Sequence, residues 1–436
     1  MNLLPSLFNR LSASAPFLRL KGRLRRHLVL RAMHLAEVAP VRFIRSDHSG
    51  KRLNLLLPSI NREDLYGGIA TALMLWKRLI DEAPEGMRFR VVIFDRSPDK
   101  EALERFPEYR WMMGDADERT RFQMVDLARP GGRFLALGSG DRCIATAWWT
   151  AYISLRLMGQ QLTASGMASL PWAYMIQDFE PAFYNWSSRY ALAESTYRMV
   201  SNVSGDRLPT WALFNTDLLQ DYFHRNGYRF WKEAIVSPRM HPGLRSHLQS
   251  DGSPPSTSRN RTIVVYGRPG VPRNGFEILL EGLRLWAARA EGRCRSWQVV
   301  SAGEPHPDYD LGHGLAMRSL GKLPIDRYAG LLSQAAVGIA LMISPHPSYP
   351  PLEMAHFGLL TLTNAFGEKN LSDWHENLQS IRWLTPETLA EALENLLDQF
   401  EAHPESGLFG KSHRPDYLSN TCPFPFASEL IADLFA

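Results

Sequence analysis

The chain has 436 residues, of which 45% are hydrophobic and 22% charged, with a formal net charge of +4. That is enough apolar material for two domains of ordinary size, each with its own core, and it excludes a chain disordered as a whole. Cys143, Cys294 and Cys422 stand far apart without metal-ligand spacing, which argues against a disulfide framework and fits a reducing compartment, the cytoplasm.

The basic excess is local. Arg10, Arg19, Lys21, Arg23, Arg25, Arg26 and Arg31 meet no acidic residue before Glu37, and leucines and phenylalanines run between them. Residues 1–45 therefore read as a basic amphipathic segment. It suits peripheral contact with an anionic membrane surface on the inner face of the cell membrane, and equally a leading helix packed on its own domain with solvated arginines. No apolar run approaches the roughly 18 to 20 residues needed to span a bilayer, and there is no compact signal-peptide core.

Residues 46–242 read as a first α/β domain. Leu53 to Leu57 is a buried-type strand, followed by the loop PSINREDLYGG and a helical pattern at Ile69, Leu73, Trp76, Leu79 and Ile80. Gly67 and Gly68 fall at the turn into that helix, where glycine lets backbone amides approach an anionic ligand; turns use glycine for other reasons too. Further strands are expected at Arg90 to Asp95, Phe134 to Leu137, Arg142 to Ala147, Trp172 to Ile176 and Leu213 to Asn215. The strand Trp172 to Ile176 runs into a polar loop with Gln177, Asp178 and Glu180, placed where a crevice forms in an open α/β sheet. Asp178 is either a cleft residue or a turn and cap aspartate.

Residues 243–261, rich in Pro, Gly and Ser, read as a linker. Residues 262–420 then repeat the α/β pattern. Thr262 to Tyr266 is a β-branched strand, Gly267 to Gly270 a turn carrying Arg268, and Arg273 follows before a helix marked by Phe276, Leu279, Leu283 and Trp286. A planar guanidinium makes two hydrogen bonds to phosphate oxygens while staying charged, so two arginines here suit a diphosphate. Trp297 to Ala302 is the next strand, and Lys322 falls in a later strand-to-helix turn. Thr385 and Pro386 start the last long helix by capping rules. Residues 421–436 read as a C-terminal helix able to cross back onto the first domain.

Within the second domain, Val337 to Asn364 organises the rest. An apolar strand is broken at Ser344 to Pro351 by four prolines, a helix starts near Pro351 with Glu353 in its first turn, and Leu359 to Thr363 is the next strand. Strand, loop, helix and strand make a parallel crossover unit, whose ligands lie at the carboxyl ends of the strands, so Glu353 is placed to hold ligand hydroxyls. His346 is placed to reach the same cleft, whereas His356 is expected on the helix surface.

Pro350, Leu352, Glu353, Ala355 and Gly358 resemble the glutamate-bearing motif of retaining glycosyltransferases of the GT-B fold, family 4, and SPHPSYPPLE resembles the WsaF-type rhamnosyltransferases more closely. The resemblance implies two Rossmann-like domains facing each other across a cleft, Gly67 and Gly68 bordering that cleft, and nucleotide contacts at Arg268, Lys322 and Glu353. It further implies Arg273 in place of a usual lysine, a cleft aspartate at Asp178, retention at the transferred carbon, and neither metal nor cofactor. The implied donor is dTDP-L-rhamnose and the acceptor a saccharide or lipid-linked glycan of a cell-surface polysaccharide, with no nucleic-acid partner. Eight residues before Glu353, where family 4 usually has its first glutamate, this chain has Pro345. A sugar-nucleotide epimerase of the same fold and an inactive membrane-associated scaffold remain rival readings.

Other signals are weaker. The triplets Asp115 to Asp117 and Asp308 to Asp310 could hold a divalent ion, but such triplets are common and both lie in polar connections. The 13 histidines show no zinc spacing, and no P-loop or G-x-G-x-x-G occurs. Trp148, Trp149, Tyr152 and Trp172 could stack on sugars, although clustered aromatics are more often core.

Overall fold

The protein is represented by a computed structural model that describes residues 35–65, 67–114, 120–129, 133–201, 208–255, 258–290 and 292–436. The basic segment up to residue 34 and the triplet Asp115 to Asp117 lie outside these residues.

The strands of the first half are β1 (Arg42–Arg45), β2 (Arg52–Leu57), β3 (Arg88–Ile93), β4 (Arg110–Met112), β5 (Phe122–Asp126), β6 (Phe134–Leu137), β7 (Asp141–Ala145), β8 (Trp172–Ile176), β9 (Thr210–Phe214) and β10 (Lys232–Ile235). Eight form one parallel sheet in the order β10-β9-β8-β7-β2-β3-β5-β4, while β1 and β6 pair separately. Central strands are buried on both faces: every residue of β2, β7, β8 and β9 is buried, as parallel sheets covered by helices require. The helix Gly68–Glu82 covers one face through Ala72, Leu75, Trp76 and Leu79, and the helix Trp148–Ser165 covers the other through Trp148, Ile153, Leu157 and Met158.

The second half contributes β11 (Asn260–Gly267), β12 (Gln298–Gly303), β13 (Tyr309–Gly312), β14 (Leu315–Gly321), β15 (Ala335–Ile339), β16 (Leu360–Asn364) and β17 (Leu378–Ile381). Their order is β13-β14-β12-β11-β15-β16-β17, parallel except for the edge strand β13. Without that edge strand the order is the 3-2-1-4-5-6 of a dinucleotide-type Rossmann sheet, with its reversal between β11 and β15. Thr385 caps the long helix Pro386–Ala402, which packs on the helix Phe276–Arg289 through Leu389, Leu393 and Leu397.

The final helix, Ala427–Leu434, packs not on the second sheet but on the helix Gly68–Glu82 of the first. Trp211 Nε1 donates to Asp433 at 2.9 Å, and Arg142 Nε donates to Leu434 O at 2.6 Å. Among the described residues, no helix is long and apolar enough to cross a membrane.

Candidate functional site at the interdomain cleft

The strand order of the second sheet reverses between β11 and β15, the position at which open α/β sheets take their ligands, and at this carboxyl edge the chain laces the two domains together. Arg268 follows β11 directly. The turn behind it is held by Glu304, whose carboxylate accepts from Gly270 N at 2.8 Å. Arg273 lies in the short turn Pro272–Asn274, and Gly275, at φ +57°, lets the chain bend into the next helix. Asn274 Nδ2 donates to Leu341 O at 3.0 Å and Ile343 N donates to Arg273 O at 2.7 Å, so the arginine turn and the continuation of β15 are one rigid piece.

Glu353 sits in the helix Pro350–His356, and burial pushes its carboxyl up to about 7 against the opposing influence of the Tyr328 hydroxyl. That hydroxyl is buried and makes no well-formed hydrogen bond of its own. Tyr266, the penultimate residue of β11, lies within electrostatic reach of Arg268, Glu353 and Arg273, which places all three around one spot. Lys322 follows β14, two strands from β11 on the same edge, and its Nζ donates to Glu63 O at 3.4 Å across the cleft.

The first domain presents Asp178, just after β8. Its Oδ1 accepts from Phe179 N at 2.8 Å and from the Ser344 hydroxyl of the second domain, while Oδ2 lies 3.7 Å from Arg273 Nε. Burial lowers the Arg273 guanidinium, with Asp178 opposing, and its plane lies 4.0 Å over the ring of Phe183. Behind Asp178, burial pushes the Glu180 carboxyl up to about 8, and Tyr174 donates to it at 3.2 Å.

His346 is buried at the same junction. Its Nδ1 accepts from Ser348 N at 3.0 Å, and its Nε2 faces the Asn215 side-chain amide at 3.2 Å, just after β9. Burial holds the imidazole down at about 4, so it is neutral near pH 7. Lys369 completes the cluster from the end of the turn after β16, its Nζ donating to Met342 O at 2.5 Å.

The structure thus gathers Arg268, Arg273, Glu353, His346 and Asp178 at one junction and brings Lys322 to its rim. Gly67 and Gly68 lie on the first domain's side. Gln177 Nε2 donates to Gly68 O at 3.1 Å, and the Tyr349 hydroxyl of the second domain stands beside Thr71, one turn along the same helix. His356 is a correction: it is buried, with Nδ1 2.7 Å from Leu352 O and its ring 4.6 Å from that of His375, because the short helix is covered by the chain around Tyr417.

Ser344, Asn215 and Lys369 escaped the sequence reading. Lys369 and Asn215 each follow a buried strand, and that position alone could have flagged them. Asp308 and Asp310 spend an oxygen each on backbone amides of their own hairpin, Ser319 N and Gly312 N, both at 2.9 Å. Among the described residues, no three His, Cys, Asp or Glu side chains are grouped to hold a metal ion. A groove of about 630 Å³ lined by Phe43, Tyr152, Leu155 and Met199 lies on the outer side of the helix Trp148–Ser165, away from all of these polar groups.

Two Rossmann-like domains with a polar junction at the switch point of the second define the GT-B fold, and solved structures agree. WaaG, a glycosyltransferase involved in lipopolysaccharide biosynthesis, aligns with a TM-score of 0.51 at 14% identity, covering 88% of this chain and 99% of that one. TarM aligns with a TM-score of 0.51 at 9% identity over 88% and 96%. Sucrose-phosphate synthase from Thermosynechococcus elongatus gives 0.50 at 12% over 88% and 95%. At such identities the likeness concerns the fold alone.

Residues 52–216 match the WsaF N-terminal domain and residues 261–394 the WsaF C-terminal domain, and the chain belongs to the WsaF family. It is also 33% identical over 224 residues to the O-antigen biosynthesis protein RfbC of Myxococcus xanthus, a match covering 51% of this chain and 15% of that protein's length.

Proposed function

We propose that the protein is a glycosyltransferase that moves L-rhamnose from dTDP-L-rhamnose to a saccharide or lipid-linked glycan acceptor during synthesis of a cell-surface polysaccharide. The observation that carries this reading is the meeting of Arg268, Arg273 and Glu353 at the switch point of the second sheet, opposite Asp178. The arginine forks suit a diphosphate, and Glu353 suits the ribose hydroxyls, which donate to a carboxylate and thereby favour its charged form. The rhamnosyl donor is drawn from the resemblance of SPHPSYPPLE to the WsaF-type rhamnosyltransferases, and the likeness to an O-antigen biosynthesis protein supports a polysaccharide product.

In this reading the bond from the sugar's anomeric carbon to the diphosphate breaks, the acceptor hydroxyl oxygen bonds that carbon with retention, its proton leaves with the departing diphosphate, and the departing charge is met by Arg268 and Lys322. Fixed cations aimed at charge that develops in the transition state require no metal. In this reading Asp178, the first-domain carboxylate opposite Arg273, is assigned the place nearest the reacting carbon, with His346 and the Gly67–Gly68 turn lining the same site.

The test is incubation with dTDP-rhamnose, other nucleotide sugars and a panel of saccharide acceptors, followed by nucleotide release and the anomeric configuration of the product. Acceptor-dependent release of dTDP, unaffected by EDTA, is expected. Conversion of the donor sugar without acceptor would favour the epimerase, and no turnover with any donor despite nucleotide binding would favour the inactive scaffold.

A further inference from the structure

Lys369 is 2% exposed, an unusual place for a lysine that is not paired. A tight turn fixes its backbone: Lys369 N donates to Phe366 O at 2.9 Å and Phe366 N donates to Lys369 O at 3.1 Å, with Gly367 at φ +54° between them. Its ammonium makes a single hydrogen bond, to Met342 O, and no ion pair within 4.0 Å among the described residues. Asn364 grips the same residue, its Oδ1 accepting from Met342 N at 2.7 Å and its Nδ2 donating to Met342 O at 3.1 Å. Met342 is two residues from Ser344, which reaches Asp178, and Ile343 between them is tied to Arg273. The lysine therefore holds the backbone that joins the arginine turn to the opposite domain.

The charges around it do not balance. The groups that face this junction are Asp178 and, behind it, Glu180 from the chain after β8, Arg273 and Arg268 from the turn after β11 and His346 from the loop after β15, and His346 is neutral. Glu368 beside the lysine turns outward and pairs with Arg225 at 3.5 Å. Buried Lys369 and half-buried Arg273 thus share one charged carboxylate near pH 7, since Glu180, which also acts on Arg273, is held up at about 8; Asp178 itself is already engaged by Ser344 and the Phe179 amide. Uncompensated buried charge is costly, and a ligand carrying two negative charges would relieve it.

We propose that Lys369 is a donor-site residue that secures the end of β15 through the Met342 carbonyl and adds its positive charge to those of Arg268 and Arg273 against a bound diphosphate. This rests on the reading of the cleft as a nucleotide-sugar site. Burial holds the ammonium down at about 7, with Asp178 opposing, whereas a bound diphosphate favours the charged form. Above about pH 7, this contribution makes diphosphate binding take up a proton and weaken as pH rises; below it the lysine is already charged and its contribution vanishes, leaving those of Glu353 and Glu180.

Titration calorimetry with dTDP, UDP, thymidine and uridine separates the two ideas. If the parent binds none of them, the functional reading fails and takes this inference with it. If the parent binds a nucleoside diphosphate, Lys369→Met is expected to weaken that binding about 10-fold or more while leaving the nucleoside alone unchanged. Lys369→Arg, which stays charged, is expected to lose the parent's decline in diphosphate affinity between about pH 7.5 and about pH 9.5. Unchanged diphosphate affinity in Lys369→Met, or an equal loss for nucleoside and diphosphate, overturns the inference. Should neither variant fold, the parent decides: a gap between diphosphate and nucleoside affinity that narrows over that pH range supports the inference, and a constant gap overturns it.

Discussion

The molecule buries two clusters of charge, and they are built differently. At the amino ends of the first sheet's strands, Arg52 grips Asp141 with Nε at 2.6 Å and Nη2 at 2.9 Å, both side chains being fully buried. Asn54 and Gly138 N add further bonds to the same carboxylate at 2.9 and 2.7 Å, and Arg90 Nε donates to Asn54 at 2.6 Å. Burial alone would push the Asp141 carboxyl up, but Arg90 and Arg52 outweigh it and hold it below the usual range. At the carboxyl ends, Arg273 and Asp178 are 3.7 Å apart, Lys369 has only a carbonyl, and burial drives Glu353, Glu180, His346 and Lys369 toward their neutral forms. Both clusters set two cations against one carboxylate, so the count of charges does not separate them; the difference is that at the amino ends short hydrogen bonds from Arg52, Asn54 and Gly138 N meet the carboxylate. Charge left without a close partner at the carboxyl edge of a sheet, as at Arg273 and Lys369, is what the proposed function would use to hold a diphosphate.

That contrast can be broken at either end. Asp141→Asn removes the acceptor of a buried pair and is expected to cost about 3 to 5 kcal/mol of stability, seen as a shifted urea midpoint, with nucleotide affinity preserved in the folded fraction. A loss below 1 kcal/mol would show that the amino-end cluster is no more structural than the cleft. Lys322→Met removes a charge at the cleft rim and is expected to lower turnover at saturating donor by roughly 10²-fold while the urea midpoint stays put. Near-parental turnover would remove Lys322 from the machinery. Glu353→Ala is expected to weaken nucleotide binding by about 1 to 3 kcal/mol, read by calorimetry, without unfolding the protein. Unchanged affinity in the folded variant would leave Glu353 without a ligand role and weaken the contrast at its centre.

Much of the fold was legible because buried parallel strands are written as unbroken apolar runs. Phe134 to Leu137 and Trp172 to Ile176 have the same limits in sequence and in structure. Strands at and next to the sheet edges were missed: β4 has three residues, β5 lies beside it one strand in, β10 is nowhere fully buried, and β14 alternates buried and exposed side chains beside its hairpin partner. Arg268, Arg273, Glu353 and Asp178 were nameable, since each follows a recognisable strand or opens a helix; Lys322 follows the missed β14 and was named from the turn ahead of the helix Ile325–Gln334 and from the family resemblance.

What the sequence by itself determined was the two α/β halves and the set of polar residues lying at their carboxyl ends, because both follow from local runs, turns and caps. Only the tertiary structure decided which of those residues share a junction. Asp178 and Arg273 are 95 residues apart along the chain and meet because two separate sheets face each other, while Lys369 draws its place from a carbonyl 27 residues earlier. His356 shows the same limit from the other side: a helix pattern gives a side chain a direction, but whether that direction meets water or the Tyr417 segment depends on chain that arrives 61 residues later.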